Sequence, residues 1–236
     1  MVAKKENFCC LWNFREGDTM KERYLFDLLA PVKKRPKVTA PKRQKVIQPS
    51  ESLDKFTALK QEALTCQRCR LRQGATQVVF GVGNPQAVLM MVGEGPGADE
   101  DRQGIPFVGR AGQLLDKILA AAEIRREDIY ITNVVKCRPP QNRMPQEDEV
   151  AACVPFLKRQ IELIKPKIIV CLGALATQTI IAPEARVSVV RGRWFERFNA
   201  RVMATFHPAA LLRDVSKKRP VWEDMKKIRD IYRTLI

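Results

Sequence analysis

Four cysteines constrain this chain more than any other feature. Cys66 and Cys69 form a tight Cys-x2-Cys pair; after a long gap come Cys137 and Cys153, with fifteen residues between them. Thiolates are the soft ligands that hold zinc or an iron-sulfur cluster, and a Cys-x2-Cys turn lets two of them meet one centre without straining the backbone. Zinc ribbons usually pair one Cys-x2-Cys with a second, which this sequence lacks, so the spacing favours iron-sulfur over structural zinc. At 236 residues the chain does not need a metal simply to fold, and the set calls for a local explanation. Between the second and third ligands lies the turn Gly93-Glu94-Gly95-Pro96-Gly97, so the cysteines read as a clasp around a site rather than a separate finger. Cys9 and Cys10 are adjacent and read as free thiols, and Cys171, inside Ile-Ile-Val-Cys-Leu, reads as a small core residue.

The first twenty residues carry Lys4, Lys5, Glu6, Arg15, Glu16 and Asp18, which excludes a secretory apolar segment or a membrane span there. The expectation is a cytoplasmic monomer with reduced thiols and no membrane partner. The net charge of +16, with a single histidine, points to a polyanionic partner, nucleic acid first. Residues 31–50 carry seven basic residues, no acid and the prolines Pro31, Pro36, Pro41 and Pro49; subtracting those seven still leaves +9. Residues 1–50 therefore read as an N-terminal extension with a basic, extended linker, with one apolar stretch at Tyr24 to Ala30, and residues 51–236 as the domain. The extension is a candidate tether to DNA or to a replication or repair partner.

Apolar residues at helical spacing predict a helix from Leu53 to Leu64 leading into Cys66, and another from Gly109 to Ala122. A third runs from Glu147 to Ile164, with Val150, Val154, Leu157, Ile161 and Ile164 on one stripe and a kink or restart at Pro155; a helix beyond Asp214 closes the chain. Short apolar runs predict strands at Ala87–Val92, Ile129–Val135, Lys167–Leu172 and Arg201–Phe206. Strands alternating with helices predict a three-layer α/β/α domain on a mainly parallel four-stranded sheet. Ligands of such sheets bind beyond the carboxyl ends of the strands. The unusual residues fall there: Gly93 to Gly97 after the first strand, Asn133 near the end of the second, His207 after the last.

Pro96 interrupts the spacing that a dinucleotide-binding glycine loop needs, so the turn shows only that a ligand can approach the backbone closely. His207, the sole histidine, stands at a strand end before Pro208, where a neutral imidazole can donate a hydrogen bond to a developing anion. Phe107 reads as core or, at the mouth of a nucleic-acid pocket, as a platform for a base.

Taken together, Gly93-Glu94-Gly95-Pro96-Gly97-Ala98-Asp99-Glu100-Asp101, Pro106-Phe107-Val108-Gly109-Arg110-Ala111-Gly112, Thr132-Asn133-Val134-Val135-Lys136-Cys137-Arg138-Pro139-Pro140 and His207-Pro208-Ala209-Ala210-Leu211 closely resemble the family 4 uracil-DNA glycosylases, which carry a [4Fe-4S] cluster. The resemblance runs from about Leu53 to the C-terminus, with all four cysteines in register. It implies a monofunctional DNA-repair enzyme that flips deoxyuridine out of single- or double-stranded DNA and hydrolyses its N-glycosidic bond. By position, Asn133 would read the polar edge of uracil, Phe107 would stack on its ring, and Glu94 and Gly95 would line the pocket beside the scissile bond. Glu100 would stand near C5, His207 would stabilise the departing anion through O2, and Asn142 would hold the water. Cys66, Cys69, Cys137 and Cys153 would hold the cluster, and Arg68, Arg70, Arg72, Arg138 and Arg143 would supply phosphate contacts.

Two departures bear on the chemistry. Gly95 stands where other branches of the superfamily place a water-orienting Asp or Asn, which leaves the water-activating group open. Position 98 is Ala where many relatives carry an acid. A branch that binds uracil covalently through a histidine in a basic loop is not matched, since His207 is the only histidine. A non-enzymatic iron-sulfur or zinc DNA-binding protein is the rival reading, and it predicts binding without excision; an electron-transfer protein would leave Asn133 and His207 unexplained.

Overall fold

A computed structural model describes residues 51–236; the readings made for residues 1–50, and Cys9 and Cys10 with them, lie outside the described residues. The elements run α1 (Glu51–Leu64), α2 (Leu71–Gly74), β1 (Val82–Gly83), β2 (Leu89–Gly93), α3 (Ala98–Gln103), α4 (Arg110–Ala121), β3 (Tyr130–Asn133), α5 (Glu147–Ile164), β4 (Ile168–Leu172), α6 (Ala174–Ile180), α7 (Val187–Val190), β5 (Trp194–Arg197), β6 (Ala200–Thr205), α8 (Pro208–Arg213) and α9 (Lys218–Arg233). Short 3-10 turns at Arg126–Asp128, Pro140–Asn142 and Val215–Lys217 connect them.

The sheet has six strands in the order β1-β3-β2-β4-β6-β5. Its four central strands, β3, β2, β4 and β6, are parallel and are those the apolar runs predict. The predicted four-stranded sheet is extended by one antiparallel strand at each edge, β1 on β3 and β5 on β6. Neither edge strand has an apolar signature: β1 is only two residues long, and β5, Trp194-Phe195-Glu196-Arg197, ends in two charges facing water.

Alternation along each central strand separates two cores. Met90, Val92, Tyr130, Ile169, Cys171, Val202 and Ala204 pack with the inner faces of α1, α5 and α6. Leu89, Met91, Ile131, Ile168, Val170 and Met203 pack with α4 and α9. Helices on both faces give the three-layer α/β/α arrangement.

Two details of the helices differ from the sequence pattern. α5 runs unbroken through Pro155, because the proline and Ala151, whose carbonyl loses its partner, both lie on the exposed face. The buried stripe of α5 is also rotated, taking in Glu149, Cys153, Phe156 and Gln160 while Val150 and Val154 are only half-buried. Apolar spacing misses that rotation because two of the buried side chains, Glu149 and Gln160, are polar. Among the described residues no helix is long and apolar enough to cross a membrane.

Candidate functional site

The register of the parallel strands brings the predicted site residues to one edge. Gly93 pairs with Asn133 at the ends of β2 and β3, and Leu172 pairs with Thr205 at the ends of β4 and β6, two residues before His207. A Cβ added to Gly93 would stand 2.4 Å from Asn133 Oδ1 and 2.6 Å from Phe107 Cζ. The Phe107 and His207 rings lie 5.4 Å apart at 31°. Gly173, which opens α6 at φ 95°, admits His207 from the far side: a Cβ there would lie 3.0 Å from His207 Cβ. Asn133, Phe107 and His207 thus converge over the Gly93 backbone.

Asn133 is 1% exposed, and its Oδ1 is buried with no hydrogen-bond partner. A buried acceptor left unpaired costs on the order of 1–3 kcal/mol, so this atom calls for a donor from a ligand. The peptide beyond it is pinned on both sides: Lys136 Nζ donates to Asn133 O at 2.7 Å, and Val134 N donates to Gly93 O at 2.9 Å.

His207 caps α8, and Ala209 N donates to its Nδ1 at 3.1 Å. Because that backbone group must be the donor, Nδ1 carries the lone pair and Nε2 carries the proton. Burial first, then the Arg213 charge, pull the imidazole down to about 4, with Glu100 opposing. The ring is therefore a neutral donor at physiological pH. Glu94, half-buried at the end of β2, is held above the ordinary carboxylate range by burial, with Arg213 opposing. Gly95 follows it, and a Cβ there would lie 2.8 Å from Val135 Cγ2, so the glycine lets the turn lie against the tail of β3.

Phe107 is 5% exposed and holds a left-handed backbone at φ 55°, a conformation that costs a non-glycine residue about 1–2 kcal/mol. Gly112 in α4 makes room for it, since a Cβ there would fall 2.0 Å from both Phe107 C and Phe107 O. The obstacle is backbone and has no rotamer to change. Gly112→Ala is expected to lower unfolding stability by about 1–3 kcal/mol, read as a shift in denaturant midpoint at unchanged slope.

Glu100, read as standing near C5 of the base, is close enough to bias His207 and also fastens backbone. Its Oε1 accepts from Val108 N at 2.9 Å and Gly109 N at 2.8 Å, and its Oε2 accepts from Gly97 N at 3.1 Å. Both oxygens are spent fastening the Phe107 loop to the glycine turn, which the acid does because carboxylates are strong acceptors of backbone amides. Asn142 is exposed at φ 56°, and its Oδ1 accepts from Arg138 Nε at 2.8 Å. The contacts that join Asn133, Phe107 and His207 do not include it.

The four cysteines line one small pocket, together with Arg68, Arg72, Lys136 and Phe156. Among the described residues no three His, Cys, Asp or Glu side chains are drawn together at the spacing of a single metal ion. The thiols surround a space rather than a point. Burial pushes the Cys137 thiol up to about 12, with Cys153, Cys69 and Cys66 adding to it and Arg72 opposing. Arg72 lines the same pocket, and its Nε is buried with no hydrogen-bond partner. Three of the arginines predicted as phosphate contacts also make ion pairs within the chain. Arg68 pairs with Glu62 at 2.7 Å, Arg70 with Asp148 at 2.7 Å, and Arg143 with the fully buried Glu149 at 2.6 Å, so they brace the cysteine segments.

The sequence reading passes over Arg213 and Lys136. Arg213 is exposed at the end of α8, close enough to bias both Glu94 and His207. Its signal is its place six residues after the sole histidine, one short helix away.

Residues 80–226 match the family model described as the uracil DNA glycosylase superfamily. A type-4 uracil-DNA glycosylase of Thermotoga maritima is 48% identical over 168 residues, covering 70% of this chain and 88% of that protein. One from Archaeoglobus fulgidus is 44% identical over 189 residues, 77% of this chain and 94% of that protein. One from Sulfurisphaera tokodaii is 43% identical over 188 residues, 76% and 86% respectively. A type-5 uracil-DNA glycosylase of Pyrobaculum aerophilum is more distant, at 33% over 146 residues and 64% of its length.

Proposed function

We infer the activity from one premise, that the chain belongs to the uracil DNA glycosylase superfamily. It is a DNA-repair hydrolase that excises uracil from DNA. The observation that carries the assignment is the buried, unpartnered Oδ1 of Asn133 beside Phe107 and His207. Uracil extruded from the stack offers an N3–H to that acceptor, a ring face to Phe107 and an O2 to His207 Nε2.

The C1′–N1 bond breaks with its electron pair passing to the base, and negative charge gathers on O2. The Nε2–H of His207 donates to that charge, and the fixed donor needs no reorganisation as the bond lengthens. Positive charge develops on the sugar and is favoured by the carboxylate of Glu94. Water then adds to C1′, and its proton leaves to solvent. Glu100 acts one step back, as the fastener of the Phe107 loop, and Asn142 belongs with the Arg138 turn.

Cys66, Cys69, Cys137 and Cys153 would hold a [4Fe-4S] cluster. The shared cavity, the mutual influence of the thiols and the orphaned Arg72 Nε support this reading. Hydrolysis moves no electrons, so a cluster held by these cysteines would supply a cross-link between the segment after α1, the tail of β3 and α5. Iron and sulfide content of the purified protein, with its visible absorbance, test the cofactor.

The activity is tested by excision from U:G, U:A, single-stranded U and T:G oligonucleotides. Release of uracil with T:G left intact is expected, and binding without release from any uracil substrate would favour the non-enzymatic reading. Gly93→Ala is a second check. Its Cβ would enter the space of both Asn133 Oδ1 and Phe107, and displacing a reacting group by about 1 Å costs on the order of 100-fold. Single-turnover excision by the folded variant is expected to fall by that factor, with the unfolding midpoint lowered as for other overpacked buried sites.

A further inference from the structure

Lys136 is 2% exposed, and nothing in the excision chemistry uses it. An ammonium has three donors, and here three acceptors meet it: Gln160 Oε1 at 2.6 Å, Thr132 Oγ1 at 2.7 Å and Asn133 O at 2.7 Å. None of the three is a carboxylate. The acceptors are themselves anchored, Thr132 Oγ1 donating to Phe80 O at 2.8 Å, and Gln160 Nε2 to Phe80 O at 2.9 Å and to Tyr130 OH at 3.1 Å. The same residue lines the four-cysteine cavity, precedes Cys137, and donates from its backbone N to Cys153 Sγ at 3.3 Å. Gln160 lies two turns beyond Cys153 on α5. One buried residue therefore touches both the cysteine clasp and the site: its backbone N–H meets Cys153 Sγ, and its ammonium holds the peptide that follows Asn133.

Building on the excision reading above, we propose that Lys136 is a positioning residue. It ties the cysteine clasp to the backbone of Asn133 and so fixes the direction in which the base-reading amide points. The Asn133–Val134 peptide has two hydrogen-bond anchors, Lys136 Nζ on its carbonyl and Gly93 O on its N–H. Removing the first frees the plane to rotate about the second. The strand end that carries the Asn133 side chain is then held less firmly, and Oδ1 spends less time in the path of the uracil N3–H.

Lys136→Met keeps the length and apolar stem while deleting all three donors. Single-turnover excision of uracil is expected to fall by about 10-fold to 100-fold, with DNA affinity and iron content unchanged. A cycle with Asn133→Ala separates positioning from general loosening. If Lys136 acts through Asn133, the double variant is no slower than Asn133→Ala alone, within the roughly twofold scatter of such cycles. Losses that multiply, or a wild-type rate in Lys136→Met, would overturn the proposal. Should Lys136→Met fail to fold or lose its iron, Thr132→Val, which removes one acceptor, decides. A several-fold loss absent from the Asn133→Ala background supports the proposal, and a multiplying loss or none overturns it. Inactivity of the wild-type chain would instead sink the excision reading.

Discussion

His207→Ala is expected to slow single-turnover uracil excision by on the order of 100-fold to 1,000-fold, the usual cost of deleting one fixed donor to a developing anion. DNA affinity should change little, because phosphate contacts dominate it. The tautomer is fixed: Ala209 N donates to Nδ1, leaving the proton on Nε2. It makes a pH prediction as well. With its imidazole pulled down to about 4 by burial, His207 stays neutral from alkaline pH through 6.5, and the rate should show no step there. Glu94, held above the ordinary carboxylate range, is lost as an anion when pH falls, so the acid limb belongs to it and should vanish in Glu94→Gln. The stability sign is separate. Between 6.5 and about 4 the unfolded chain takes up a proton that the folded His207 refuses, so stability falls as pH drops through that window and is whole above it. His207→Ala should flatten this slope. Wild-type excision in His207→Ala would remove the histidine from the chemistry.

The strands that carry the site are legible because parallel strands covered on both faces are continuous apolar runs, and each of these ends at a residue its run does not explain: Gly93, Asn133, Gly173 or His207. The cysteine set is legible for a related reason, since ligand spacing is imposed by the geometry of the centre and survives in sequence. The edge strands are not, because β1 and β5 are defined by their partners rather than their own residues.

Burial of charge is the harder reading. Lys136 stands in a stretch that resembles a basic DNA-facing tail, and only its acceptors, one of them 24 residues away on α5, make it a core residue. Glu100 has the same ambiguity reversed. Its place after a glycine turn suggests a substrate contact, yet three backbone amides from two loops take its oxygens. Arg68, Arg70 and Arg143 read as a phosphate surface, and their partners Glu62, Asp148 and Glu149 become visible only when α1 and α5 are placed. In each case the partners are set by the fold, at separations from three residues, Glu100 to Gly97, up to 78, Arg70 to Asp148.

Asn133→Ala is expected to lower single-turnover excision by on the order of 100-fold to 1,000-fold as well, for a different physical reason. His207 meets charge that exists only as the bond breaks, whereas Asn133 meets a donor the base carries from the start. Its loss should therefore appear both in the rate and in the affinity for free uracil, while His207→Ala should spare much of that affinity. The alanine also removes a buried Oδ1 that has no hydrogen-bond partner, so the ligand-free variant is expected to be no less stable than wild type. A gain or no change in unfolding midpoint, together with collapsed excision, is the signature of a group kept for its ligand. Equal losses in stability and in rate would mean that Asn133 holds the strand end together and that another residue reads the base.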